Sequence, residues 1–199
     1  MLRAFPFDKN YDIKVEEIVK GGKFFEGGDF YLSAEKMAHT VDCNAYAFVK
    51  KGQLRIDKEK LKEARIPSGP LLKKLKEGKN ISYNRKKFLA KNLTYQEGDK
   101  KVSFVLDTSD NKKIISLAKD SDILVCEATF GEDMEEKAKE HRHLTSRNAA
   151  EIAKKSNSNK LVLTHISQRY EKDSREILES AKKVFKNSML VKDLDVLEV

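Results

Sequence analysis

Three short apolar runs, each ending in or running into a residue able to do chemistry, constrain this chain more than any other feature. They are KVSFVLD, DILVCEATF and KLVLTH, within residues 101–165. Apolar runs of four to eight residues read as buried strands. Helical patterns alternate with them: NKKIISLAKD, EDMEEKAKE and SRNAAEIAKKS lie between, and DSREILESAKKVF follows. The chain closes on SMLVKDLDVLEV, which is strand-like. Such alternation predicts an α/β fold in which helices cover a largely buried sheet. Ala149, Ala150, Ile152 and Ala153 form a small-residue face on one helix, suited to close packing.

The strand ends carry the chemistry. SFVLD ends in Asp107, LVCEATF carries Glu127, and LVLTH ends in His165. In open α/β sheets, ligands gather beyond the carboxyl ends of the strands. Taken singly, each residue has an ordinary reading. Asp107 could cap the next helix, and His165 could be a core residue, a cap or a metal ligand. Together, Asp, Glu and His at three successive strand ends are the donor types of hydrolytic metal sites. His39 in MAHTVDCNAYAF precedes another strand, and His141 is a spare. His143 opens HLTSRNAAEIA, where Thr145 or Ser146 would cap the helix; alone it reads as a cap-adjacent surface histidine.

Residues 1 to about 50 read as β-rich. KFFEGGDFYLSAEKMAHT holds a Gly-Gly-Asp turn signal between apolar-alternating pieces, which predicts a hairpin, and NAYAFVKKG reads as a strand ended by Gly52. Residues 53–101 change character. DKEKLKEARIPSGPLLKKLKEGKN predicts two short amphipathic helices around a Pro-Ser-Gly-Pro break, and ISYNRKKFLAKNLTYQEGD is polar and basic. The segment looks too poor in apolar residues for a core of its own and reads as a projecting arm, residues 53–98, in an otherwise single lobe spanning 1–199.

Charge points the same way. The net charge is +8 over 199 residues. Residues 50–101 hold 17 Lys/Arg against 6 Asp/Glu, a net of +11, so the remainder carries −3. A local cationic segment of this kind is a footprint for a polyanion, nucleic acid first. Cys43 and Cys126 are far apart and form no CxxC, so neither a disulfide framework nor a zinc finger is indicated. MLRAFPFDKNYD has no long apolar stretch and reads as neither a signal peptide nor a membrane span. A cytoplasmic location follows as the expectation.

HTVDCNAY, IPSGPLLKKLKEG, VLDTSDN, CEATF, HLTSRNAAEIA and LVLTHISQRY occur in the order found in RNase Z, the tRNA 3′-processing endonucleases of the metallo-β-lactamase superfamily, and the chain resembles that family from about Phe5 to its end. LTHISQRY and HLTSRNAAEIA are the most specific pieces. The resemblance implies the second half of an αββα sandwich: a mixed sheet with helices on one face, an open apolar opposite face and a projecting basic arm. It implies that His39, Asp107 and His165 bind metal, Asp107 bridging two zinc ions. It implies that Glu127 and His143 form a pair relaying a proton to the leaving oxygen. Pro67, Gly69 and Pro70 resemble the substrate arm that clamps the tRNA elbow. Lys73, Lys74, Lys76, Lys79, Arg85, Lys86 and Lys87 would then contact phosphates, reading shape rather than sequence.

The chain departs from the family pattern in one large way. The His-x-His-x-Asp-His motif is absent, and with it four or five ligands and a water-activating Asp. Leu106 stands where a Gly is usual before the bridging Asp, Ala45 where a Gly is usual before the tyrosine, and Cys126 where a His is usual before the glutamate. Three ligands cannot complete two sites of about four donors each. The expectation is therefore a split or truncated enzyme whose missing motif lies on a separate polypeptide, with an apolar face that pairs with that half or with a second copy. Two other readings stand beside it. One is a non-catalytic tRNA- or RNA-binding paralogue that uses only the arm. The other is a small-molecule hydrolase of the superfamily, which would have no use for so long a basic arm.

Overall fold

The computed structural model describes residues 14–199. The N-terminal stretch read as neither signal nor span lies outside the described residues, as does the beginning of the family resemblance.

In chain order, β1 (Gly22–Glu26), β2 (Phe30–Lys36) and β3 (Asn44–Lys50) lead into the middle segment. That segment comprises β4 (Leu54–Ile56), α1 (Lys58–Glu63), α2 (Pro70–Lys76), β5 (Ile81–Tyr83), β6 (Lys86–Phe88), α3 (Ala90–Leu93) and β7 (Thr94–Gln96). Then come β8 (Lys100–Val105), α4 (Lys112–Ala118), β9 (Ile123–Glu127), α5 (Glu135–His141), α6 (Ser146–Lys155), β10 (Lys160–Thr164), α7 (Arg175–Val184) and β11 (Ser188–Leu190).

One mixed sheet has the order β1-β2-β3-β8-β9-β10-β11. Strands β1, β2, β3 and β8 pair antiparallel, and β8, β9, β10 and β11 pair parallel. The Gly27–Asp29 turn closes the expected β1–β2 hairpin. Only Ser188–Leu190 of the strand-like C-terminal stretch joins the sheet. A turn then removes the chain: the Asp195 amide donates to the Lys192 carbonyl, and the Lys192 amide donates to the Asp195 carboxylate.

Strand alternation makes the sheet two-faced. On β3, Ala45, Ala47 and Val49 are buried while Tyr46, Phe48 and Lys50 are exposed. The buried face meets α4, α6 and α7, where Ile114, Ala149, Ala150, Ile152 and Ile177 pack against Val105, Leu124, Cys126, Leu161 and Leu163. The alanines of α6 bring its backbone close to the sheet. Its start is a capping box: Thr145 Oγ1 accepts from the Asn148 amide, and Asn148 Oδ1 accepts from the Thr145 amide. The opposite face carries Tyr46 directly across from Phe104 and Phe48 across from Val102. Phe24 and Phe30 extend this row, with ring centroids 6.0 Å from Tyr46 and 5.3 Å from Phe48. Phe48 and Phe104 remain 38% and 43% exposed, the open apolar face expected of this lobe.

The middle segment is inserted between adjacent strands β3 and β8, so it leaves and returns at one place. Its two legs are joined there: the Gly52 amide donates to Asp99 Oδ1 and the Glu97 amide to the Gln53 carbonyl. A side chain at residue 52 would collide with the Glu97 main chain, so this crossing requires glycine.

One sequence expectation needs correction. The segment does have a core: Leu61, Ile66, Leu75, Ile81, Ala90 and Leu93 are buried together, with Ile56, Leu72 and Phe88 against them. Each short element contributes only one to three apolar residues, so apolar content read along the sequence hides what the fold gathers.

Candidate metal and catalytic site

Registration of the parallel strands brings the chemistry together. Val105 of β8 lies opposite Cys126 of β9, and Glu127 lies opposite Thr164 of β10. The three strands therefore end level, and Asp107, Glu127 and His165 emerge at one edge. Asp107 and His165 are both in the left-handed backbone region, with φ of 46° and 53°. Non-glycine residues held there carry about 1–3 kcal/mol of strain each, and such strain clusters at functional sites.

Glu127 organises the centre. It is completely buried. The Thr108 amide donates to its Oε1 at 2.7 Å and the Leu144 amide to its Oε2 at 3.1 Å. Thr129 Oγ1 donates to Oε2 at 2.6 Å, and His143 Nδ1 lies 3.0 and 3.1 Å from the two oxygens. A buried carboxylate without such donors would be strongly disfavoured.

These bonds fix the tautomers of two histidines. His143 gives its Nδ1 hydrogen to Glu127, which leaves Nε2 free. Thr129 has spent its proton on Glu127, so its oxygen accepts from His165 Nδ1, 3.0 Å away. In the neutral imidazole that a metal requires, His165 Nε2 is then a lone-pair donor. It lies 3.1 Å from Asp107 Oδ1, which is shut off from solvent and takes no hydrogen bond. Two lone-pair donors facing each other repel. A shared cation removes the conflict, and donors on one tetrahedral divalent ion lie about 3.3 Å apart. Ligand atoms of Asp107, His143 and His165 all lie within 4.8 Å of one another. The residues present thus fit a divalent metal, with Thr129 and Glu127 behind the histidines in the orienting role that carboxylates and carbonyls take at metal centres.

His39 stands beside this group. Its ring centroid is 5.0 Å from that of His143. Its Nδ1 is 3.1 Å from the Arg142 carbonyl, which leaves Nε2 without a partner among the described residues, and Arg142 Nη1 donates to the His39 carbonyl at 2.9 Å; the convergent ligand group is Asp107, His143 and His165, without His39. The loop bearing His39 is stitched to the Asp107 loop, because the Ser109 amide donates to the Ala38 carbonyl and Cys43 Sγ donates to the Asp107 carbonyl. Burial raises the Cys43 thiol pKa, reinforced by the carboxylates of Asp107, Asp42 and Glu127. Sequence reasoning missed Thr129, Thr108 and Arg142. The first two sit inside quoted motifs, in CEATF and VLDTSDN, while nothing around Arg142 marks it.

The arm residues lie apart from this centre. Pro67 and Gly69 form the loop before α2, and Pro70 opens that helix. Lys73, Lys74 and Lys76 are on α2, Lys79 follows it, and Arg85, Lys86 and Lys87 lie on the β5–β6 hairpin. All of these side chains are exposed. Lys79 is paired with Glu77 at 2.8 Å. Among the described residues, no helix is long and apolar enough to cross a membrane.

No family model matches the chain. Ribonuclease Z of Archaeoglobus fulgidus is 36% identical over 204 aligned residues that cover all of this chain and 66% of the relative. Ribonuclease Z of Bacillus cereus strain G9842 is 35% identical over 190, covering 92% of the chain and 61% of the relative. The chain therefore spans somewhat under two thirds of the length of these curated relatives. Among solved structures, the metallo-β-lactamase fold protein YhfI of Bacillus subtilis matches with a TM-score of 0.59 at 17% identity, over 96% of this chain and 57% of its own. Human tRNase Z, short form, matches with a TM-score of 0.54 at 22% identity, over 90% and 47%. With the metallo-β-lactamase fold in its structural neighbours and ribonuclease Z in its sequence relatives, the chain belongs to the ribonuclease Z family.

Proposed function

We propose that the chain is the part of a zinc-dependent ribonuclease Z that carries the tRNA-binding arm and half of a two-metal site, and that it takes part in removing the 3′ trailer from precursor tRNA. The observation that carries this reading is the convergence of Asp107, His143 and His165 around the buried, fully bonded Glu127.

His39, Asp107 and His165 would hold zinc. When bound, the ions would supply an activated hydroxide and stabilise charge on the phosphorane-like transition state. The protein's own residues do the rest. Glu127 orients His143 through Nδ1, which turns Nε2 to the side from which a proton would pass to the leaving 3′ oxygen. Thr129 holds His165 in the one tautomer that leaves Nε2 available. The residues of the arm, Lys73, Lys74, Lys76, Lys79, Arg85, Lys86 and Lys87 with the Pro67–Pro70 loop, would grip the tRNA by its phosphates in the cytoplasm.

Three ligands leave two zinc ions short of donors. We read the remaining donors as supplied by a His-x-His-x-Asp-His motif on a separate polypeptide, and the aromatic face around Phe48 and Phe104 is where it would pack; a homodimer would cover the same face. A non-catalytic RNA-binding paralogue is the second reading, favoured by the missing motif. The retained Glu127–His143 pair argues for the enzyme, since a binding module has no need to relay a proton. The two are separated by mixing this chain with a polypeptide bearing the motif, zinc and precursor tRNA, and measuring trailer release. Release only from the mixture supports the enzyme. RNA binding without release, at full zinc occupancy, leaves the binding module.

A further inference from the structure

We propose that the arm carries a stacking site for an unpaired RNA base, with Tyr95 as the platform and Lys58, Lys62 and Lys76 holding the flanking phosphates. The inference rests on reading the arm as an RNA-binding element. It adds a surface apart from the β5–β6 hairpin, reached by the Pro67–Pro70 loop through Ser68.

Tyr95 has no packing role that accounts for it. On β7 its neighbour Thr94 points into the arm, where its hydroxyl donates to the Ala90 carbonyl, and alternation turns Tyr95 outward. It is 54% exposed. Directly across the ribbon lies Arg55 of β4. The ring lines a groove of about 610 Å³ whose apolar floor includes Leu61 and Leu72.

The charges around that groove are of one sign. Arg55, Lys58, Lys62 and Lys76 line it, and no carboxylate does. Glu97 takes Arg55 at 2.9 Å, Asp57 caps α1 by accepting from the Lys60 amide, and Glu59 and Glu63 of α1 do not line the groove. Lys58 and Lys62 are four residues apart on one helix, so they share a face and repel when nothing anionic lies between them. An apolar ring flanked by unpaired ammonium groups suits a ligand with a flat π-face and negative charge on either side. A nucleotide within an unpaired stretch has that form, and aromatic platforms beside cationic grooves are how proteins hold such strands. An acidic peptide would satisfy the lysines and leave the ring unused.

The chain contains no tryptophan, which makes a direct test possible. Tyr95→Trp places a single tryptophan on the platform, and binding is followed by its emission and by the anisotropy of a labelled tRNA transcript. The expected result is quenching that saturates with the anisotropy. In parallel, Tyr95→Ile, which keeps a strand-forming apolar side chain but no ring, should weaken binding about fivefold or more, and Tyr95→Phe should leave it unchanged. Circular dichroism verifies the fold of each variant. Anisotropy showing tRNA bound while emission and the Tyr95→Ile affinity stay unchanged overturns the stacking site and leaves the arm as an RNA-binding element. Failure of the unmodified chain to bind tRNA at all overturns that underlying reading too. Equal quenching by a poly-glutamate peptide would show that charge alone is read, and would also overturn the proposal.

Discussion

Thr129 Oγ1 lies 3.0 Å from His165 Nδ1 and 2.6 Å from Glu127 Oε2, and this one hydroxyl sets which nitrogen of His165 faces Asp107. Thr129→Val keeps the shape and removes the hydroxyl. His165 then loses the partner that holds its hydrogen on Nδ1. Loss of such an orienting partner typically costs 10- to 100-fold in metal affinity, so zinc binding should weaken by about that factor. Competition with a chromophoric chelator measures it. Thr129→Ser should restore most of the affinity, which a purely steric role of the methyl group would not allow.

Glu127→Gln makes a separate prediction about stability. The Thr108 and Leu144 amides each donate to one carboxylate oxygen. An amide side chain must turn its NH₂ toward one of these donors, leaving a buried N–H without an acceptor. The expected loss is about 1–3 kcal/mol, read from the urea midpoint of the chain without metal. An unchanged midpoint would mean that Glu127 is not held as described.

For His143 the prediction concerns a division of labour. Its ligand atom lies in the same group as those of Asp107 and His165, so either role is open to it geometrically. As the proton carrier of the proposed reaction, His143→Ala should leave zinc content unchanged in the complex completed with the motif-bearing polypeptide. Cleavage should slow by roughly 10²- to 10⁴-fold. Asp107→Ala should abolish both. Zinc loss in His143→Ala would instead make it a ligand.

These cases show what the sequence could and could not reveal. The strand ends were legible because apolar runs stop abruptly at Asp107, Glu127 and His165, and parallel strands in register must bring such ends together. The two-faced sheet was legible in NAYAFVK, where small and aromatic residues alternate. Thr129 was not legible, because a threonine after a strand has many ordinary uses and its role depends on a contact 36 residues away. Arg142 and His39 meet across 103 residues, each side chain bonded to the other's main-chain carbonyl, and such acceptors leave no pattern in the sequence. The arm's core escaped for a related reason: its apolar residues are spaced one to three per short element, and only folding sums them.

That core predicts that the arm can loosen alone. Leu75 is fully buried among arm residues, and its cluster is distinct from that beneath the sheet. Leu75→Ala should cost about 2–5 kcal/mol locally. Hydrogen exchange should then accelerate across residues 54–96 while Leu124 and Leu161 in the sheet keep their protection, since stability is lost in contiguous units. Parallel loss in both regions would mean that arm and lobe unfold as one.

The open sheet face gives the last prediction. Phe48 and Phe104 lie on that face, flanked by Tyr46 and Val102 on the paired strands β3 and β8. Both rings are more than a third exposed, so replacing one costs the isolated chain little. An interface burying them would lose much more, because a charge would be carried into an apolar contact with no partner. Phe48→Glu should therefore leave the thermal midpoint of the chain nearly unchanged and abolish its association with the motif-bearing polypeptide, together with any self-association. Light scattering and co-purification measure both. The variant separates the two roles proposed for this lobe: tRNA binding through the arm should persist, while trailer cleavage in the mixture should disappear. Undiminished cleavage by Phe48→Glu would place the missing half elsewhere on the molecule.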